Sequence, residues 1–289
     1  MEIKSLARAL AALLSIVSAF IAICLITGLL MGEGMSALRT FSIPVTAGVA
    51  LFLFAFLTSR TQGKILLSSR SGYLFVVLSW VCAAALGAVP FITSGTVTSW
   101  ADAFFESMSG FTTTGASILN DVESAPKSLL LWRATTHWLG GMGIVVLTVA
   151  VFPLLGIGGR ALMEAEAPGP QVDKFTPRIS DTAKILWLIY LGLTVLETLL
   201  LLLGGMNLFD AVTHSFATMA TGGFSTRNAN VGAYGSSYID WVITVFMLIA
   251  GMNFGLHWKL LRGDIRPVLK DSELKTYLGI FISAVLIIT

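Results

Sequence analysis

Charged side chains are spread so unevenly along this chain that long apolar runs stand between them. Residues 9–31, 40–59, 72–92, 134–159 and 241–258 carry no charge, and residues 185–205 are interrupted only by Glu197. About 20 apolar residues wound as a helix cross roughly 30 Å of hydrocarbon. Six such runs predict six spanning helices and an all-α integral membrane protein, since a water-soluble core could not accept them. The first run is too long for the apolar part of a signal peptide, so it is read as a retained helix.

Between the spanning runs a second pattern recurs. Residues 101–117 return 108 positions later as 209–225, with identities at Asp102/Asp210, Ala103/Ala211, Ser107/Ser215, Thr113/Thr221, Gly115/Gly223 and Ser117/Ser225. Each copy leads from a short half-apolar segment into a Thr/Gly-rich turn. Ser99 and Asn207 suit an N-cap, and Asp102 and Asp210 follow three positions later, as in a capping box. The aspartates also favour the positive end of a helix dipole. The spacing predicts two helices of about ten residues, ending near Phe111 and Met219, whose negative ends and unsatisfied carbonyls point to mid-membrane. Non-helical backbone at that depth is tolerated only where it lines a wet cavity or lies inside protein. Residues 112–117 and 220–225 contain no acid. The turns therefore offer neutral oxygens, which suits a monovalent cation and argues against a ring for divalent ions.

Composition adds to this picture in one respect. Hydrophobic residues make up 55% of the 289 positions and charged residues 12%. If the N-terminus is cytoplasmic and both short segments are re-entrant, fourteen of the 18 Lys and Arg fall on the inner side, as the positive-inside rule requires. The net charge of +2 then reports topology, and nothing points to nucleic acid. Cys24 and Cys82 fall inside spanning runs and read as buried thiols. His137, His214 and His257 have no metal-ligand spacing and read as satisfied polar groups. Glu197 reads as a structural pairing or interface residue ahead of a direct ion contact. Arg133 opens a span at the outer side, where it would snorkel or pair. Residues 140–143, Gly-Gly-Met-Gly, allow either close helix packing or a pore-side bend.

The chain divides into a two-helix hairpin (1–70), a helix–pore loop–helix unit (71–159), a cytoplasmic linker (160–183), a second such unit (184–259) and a final segment (260–289). The last 13 residues, 277–289, are apolar and too short to span. They read as the first helix of a third unit cut off, in a protein of roughly 450–500 residues by extension of the repeat.

Residues 111–117 (Phe-Thr-Thr-Thr-Gly-Ala-Ser) and 219–225 (Met-Ala-Thr-Gly-Gly-Phe-Ser) resemble the first two filter loops of the Trk/Ktr/HKT superfamily of potassium transporters. The preceding hairpin is similar to the extra N-terminal domain of its TrkH/TrkG branch. The resemblance implies four helix–pore loop–helix units around one pore, of which two filter loops are present here. It assigns K⁺ binding to Thr112, Thr113, Thr114 and Gly115 and to Ala220, Thr221, Gly222 and Gly223. Gly115 and Gly223 match the family's key glycine, and glycine in place of serine there points to K⁺ over Na⁺. It further implies a bacterial inner membrane location, a homodimer, and a cytoplasmic ring of nucleotide-binding TrkA-type subunits. No cofactor is implied, K⁺ being the transported ion. A secondary transporter of another solute, with broken helices at the midplane, is the alternative, although such carriers often use inverted repeats and this one keeps its direction. No convergent Ser/His/Asp, Cys/His or carboxylate set points to an enzyme.

Overall fold

The computed structural model describes residues 2–61, 69–143 and 179–288, and regular structure among them is helical throughout. Helices α1 (Glu2–Leu30) and α2 (Met35–Thr61) form the N-terminal hairpin. Lipid is as apolar as leucine, so burial alone does not press two such helices together, and close contact needs small residues. Gly48 of α2 supplies one: a Cβ there would overlap Ser18 of α1. Among the described residues, four helices are long and apolar enough to cross a membrane, over Ile3–Leu30, Met35–Thr58, Ser71–Thr93 and Ala183–Leu203. They match four of the six apolar runs. Their outward faces carry exposed Ile23, Ile43, Phe52, Val77 and Leu199, as a lipid-facing surface should.

The first unit consists of α3 (Ser69–Thr93), the short α4 (Trp100–Phe111) and α5 (Lys127–Gly141). The second consists of α6 (Ile179–Leu203), the short α7 (Leu208–Met219), a 3₁₀ turn (Asn230–Tyr234) and α8 (Ser237–Ala250). The chain continues through α9 (Phe254–Leu261), α10 (Ile265–Lys270) and α11 (Ser272–Ile288). The linker expected at 160–183 lies outside the described residues up to 178, and α6 already begins at Ile179.

Two of the apolar runs are not single helices. The run 241–258 breaks at 251–253, where α8 and α9 meet at 99°. Asn253 causes the restart: its side-chain oxygen accepts from the Gly255 amide at 2.9 Å and caps α9. The run 134–159 is entered by a helix that starts earlier, at Lys127, and ends at Gly141; residues 144–159 lie outside the described residues. Here charge was a poor marker, because Arg133 is buried inside α5.

The largest core cluster gathers Ile21, Phe75, Phe91, Phe111, Trp132 and Tyr190 from five helices. The polar tips of Trp132 and Tyr190 inside it are matched: Trp132 Nε1 donates to the Gly87 carbonyl at 3.0 Å and Tyr190 Oη to the Trp138 carbonyl at 3.1 Å. The hairpin is also fastened by charge. Glu33, at its tip, accepts from the Ser128 amide at 3.0 Å and from the Ser128 hydroxyl. A carboxylate 95 residues away thus caps the first turn of α5. Cys24 is buried and Cys82 half-buried, both as free thiols.

Candidate functional site

Helices α4 and α7 are 12 residues each, about 18 Å long, too short to span. They end at Phe111 and Met219, where the sequence pattern places their ends. The reason lies in the next residues. Thr113 and Thr221 adopt left-handed backbone, at φ 55° and 54°. The Thr114 amide then bonds the Ser109 carbonyl (3.0 Å) and the Thr113 amide the Gly110 carbonyl (3.0 Å). In the second copy, Gly222 bonds Ala217 (2.9 Å) and Thr221 bonds Thr218 (2.8 Å). These are paired Schellman closures. They occupy the carbonyls of Ser109, Gly110, Ala217 and Thr218, where the sequence pattern expects open ones, while the final helical carbonyls of Phe111 and Met219 accept no hydrogen bond from any described residue.

The open oxygens lie one step further on. The carbonyls of Thr112, Thr113, Thr114 and Gly115, and of Ala220, Thr221 and Gly222, accept no hydrogen bond from any described residue. The two turns also touch. Gly115 sits at φ +73° and a Cβ added to it would overlap the Gly222 carbonyl oxygen. Gly223, at φ +90°, has open space around it. A groove of about 930 Å³ runs beside the second turn, lined by Thr218, Thr221, Gly222, Gly223 and Phe224.

Behind the turns, chemically different groups do the same work. Ser117 donates to Glu106 at 2.9 Å and accepts from the Leu119 amide at 3.1 Å. Ser225, 108 positions later, bonds His214 Nε2 at 3.0 Å and accepts from the Arg227 amide at 3.0 Å. His214 occupies the place of Glu106. Its Nδ1 lies 2.8 Å from the Asp210 carbonyl, which can only accept, so this nitrogen carries the proton. Glu106 is fully buried and also takes the Ile118 amide at 3.0 Å and Arg133 Nε at 2.6 Å. Identity between the copies does not mark Glu106, since His214 stands at the equivalent position. Its signal was an acid in the middle of a re-entrant helix. Arg133 does not snorkel; it is 4% exposed and paired.

The expected helix caps part company. Asn207 accepts from the Asp210 amide at 2.9 Å, and Asp210 takes bonds from the Asn207 side chain (2.8 Å), Thr226 (2.6 Å) and Arg227 (2.9 Å). Ser99 makes no side-chain cap bond, and Asp102 is exposed. The equivalents of Thr226 and Arg227 are Ile118 and Leu119, which have nothing polar to offer Asp102. At the outer loops, Asn228 joins the units: it accepts from the Val122 amide (2.8 Å), donates to Asp121 (2.8 Å), and its amide bonds Glu123 (3.1 Å). The Asn228 side chain, foremost, holds the Asp121 carboxyl below the usual carboxylate range.

Gly140 and Gly141 serve close packing, against the Phe111 backbone and against Ala220, so α5 abuts both turns. His257 bonds the Ile249 carbonyl at 3.0 Å. His137 is not satisfied: neither ring nitrogen has a hydrogen-bond partner among the described residues, and the ring stacks on Phe224 at 3.8 Å. Glu197 is fully buried and its carboxyl faces Thr218. The pairing expected for it is not seen, since neither oxygen has a partner within 3.5 Å among the described residues. No group of three or more His, Cys, Asp or Glu among the described residues could hold a metal ion.

A family model described as "TrkH: Cation transport protein" matches residues 45–284. The chain belongs to the TrkH family. It is 45% identical over 264 residues to the Trk system potassium uptake protein TrkH of Escherichia coli K12, covering 89% of this chain and 53% of that one. It is 39% identical over 294 residues to the TrkH of Halomonas elongata, covering 100% and 60%. The crystal structure of the potassium transporter TrkH from Vibrio parahaemolyticus superposes with a TM-score of 0.80 at 35% identity, over 99% of this chain and 58% of that one. The chain therefore spans a little over half the length of these TrkH relatives.

Proposed function

We propose that this chain supplies part of the selectivity filter of a potassium uptake pore in a bacterial inner membrane. The observation that carries the reading is the pair of matched turns with seven backbone carbonyls left without donors. Neutral oxygens in that number, without a carboxylate, replace the hydration shell of a large monovalent cation. Thr112, Thr113, Thr114 and Gly115 form one half of the filter presented here, and Ala220, Thr221, Gly222 and Gly223 the other. The relatives' names support the same substrate. Transport of a different solute draws no support from them, and the family is one of cation transport proteins, not of enzymes.

On this reading the N-terminus is cytoplasmic and the turns are reached from outside. Residues 1–70 form the hairpin, 71–159 and 184–259 the two pore units, 160–183 a cytoplasmic linker, and 260–289 the lead into a third unit. The working protein is a homodimer regulated by cytoplasmic nucleotide-binding TrkA-type subunits.

The test is a comparison of radioactive rubidium and sodium flux in liposomes holding the intact protein or its Gly115→Ser and Gly223→Ser variants. Both should raise Na⁺ permeation relative to K⁺, on the order of tenfold, or about 1.4 kcal/mol. The Gly115 variant should be the worse, because its new Cβ meets the Gly222 carbonyl. Unchanged selectivity in both would remove the filter assignment.

A further inference from the structure

We propose that Arg133 is the positioning residue that holds the two turns in register with each other, and that ion selectivity depends on it. The inference rests on reading those turns as the filter.

The side chain has three simultaneous partners. Its Nε donates to Glu106 at 2.6 Å, its Nη1 donates to the Ser225 carbonyl at 3.0 Å, and its guanidinium lies 3.5 Å from the centre of the Phe224 ring. Glu106 carries the effect to the first turn, because its other bonds go to Ser117 and the Ile118 amide, just after that turn. Ser225 and Phe224 close the second turn. One residue of α5 therefore binds the exits of both. The Phe224 ring also packs on His137, one helical turn along α5, and a Cβ at Gly222 would overlap that imidazole.

The arrangement has no counterpart in the second unit. The position 108 residues on is Trp241, which is 70% exposed. The bridge thus runs one way, from the first unit to the second. A lysine could replace its charge but not its geometry. The planar guanidinium directs donors to two acceptors while stacking on a ring, whereas an ammonium is a point charge on a flexible stem. Burial of the cation is tolerated because Glu106 neutralises it.

Three variants of the intact protein in liposomes test the idea by the Na⁺-to-K⁺ flux ratio, alongside the thermal midpoint of each. Arg133→Lys keeps the ion pair and loses the hold on Ser225 and Phe224. We expect the ratio to rise on the order of tenfold, as for one lost charge-assisted hydrogen bond, with folded protein near the normal level. The exchange Glu106→Arg with Arg133→Glu restores a pair but moves the guanidinium onto α4, and should be equally unselective. Glu106→Gln with Arg133→Gln removes the buried charge altogether and carries the test should the others fail to fold. Normal ratios in whichever of these variants fold, with Gly115→Ser and Gly223→Ser still altering selectivity, would overturn the role of Arg133 and leave the filter reading intact. Normal ratios in the glycine variants as well would overturn both.

Discussion

Thr113 and Thr221 hold backbone conformations that a β-branched residue resists, at a cost of about 1–2 kcal/mol each. Their helices would close equally well with glycine at this position. Each conformation is enforced by two hydrogen bonds into the preceding helix, and strain of this kind gathers where geometry is used. Thr113→Gly should relieve it, offset partly by the greater freedom of glycine in the unfolded chain, for a net gain of about 0.5–1 kcal/mol. A higher melting temperature with poorer K⁺ selectivity is the expected pair of outcomes; a lower one would show that the threonine is unstrained. Glu197 differs in kind. A carboxyl without a donor in low dielectric is costly to ionise, and Glu197→Gln keeps its shape without a group that can ionise. Its melting temperature should equal or exceed that of the native protein, and a clear fall would reveal a partner for Glu197. Neither Glu197's isolation nor Glu106's pairing was legible in the sequence, because a charge in an apolar run marks a special position without naming what faces it.

Element ends were legible where local chemistry sets them and obscure where distant contacts do. Both short helices stop where the Thr/Gly pattern says, since the closures are made by residues adjacent in the chain. The end of α5 at Gly141 falls in the Gly-Gly-Met-Gly stretch that allowed a bend, whereas the break after Ala250 was hidden, because counting charges measures apolar length and not helical continuity. The cap of α5 was equally hidden: Glu33 lies 95 positions from the amide it satisfies. That cap fastens the hairpin to the helix bearing Arg133. Glu33→Ala should leave the first turn of α5 with unmatched donors and lower stability by about 1–2 kcal/mol. Glu33→Gln, which still offers an oxygen, should cost less. Thermal unfolding of the two variants would measure this, and equal midpoints for Ala and the native residue would show that water serves as well.

At the scale of the whole molecule, the repeat foretells two like units but not what joins them. Two of the joints are made by residues that differ between copies, Arg133 against Trp241 and Glu106 against His214, and the third is made by Asn228, whose equivalent is also an asparagine, Asn120, but which alone is bonded across to 121–123. The Asn228 joint is the most accessible of these. The Asn228 side chain holds the Asp121 carboxyl in its ionised form, so the folded-state pKa lies below the unfolded value of about 3.9. A depressed carboxylate contributes its stabilisation above that unfolded value and loses it as pH falls through the folded one. The joint should therefore be intact at neutral pH and loosen below about pH 4. The Val122 and Asn228 amides, which bond across it, report its state. Their hydrogen exchange, corrected for the intrinsic effect of pH, should quicken in acid while amides inside α4 and α7 stay protected. Asn228→Ala should expose the Val122 amide at every pH. Protection of both amides that persists unchanged once Asp121 is protonated, or survives in the alanine variant, would show that the two units are held at their outer face by something other than this asparagine.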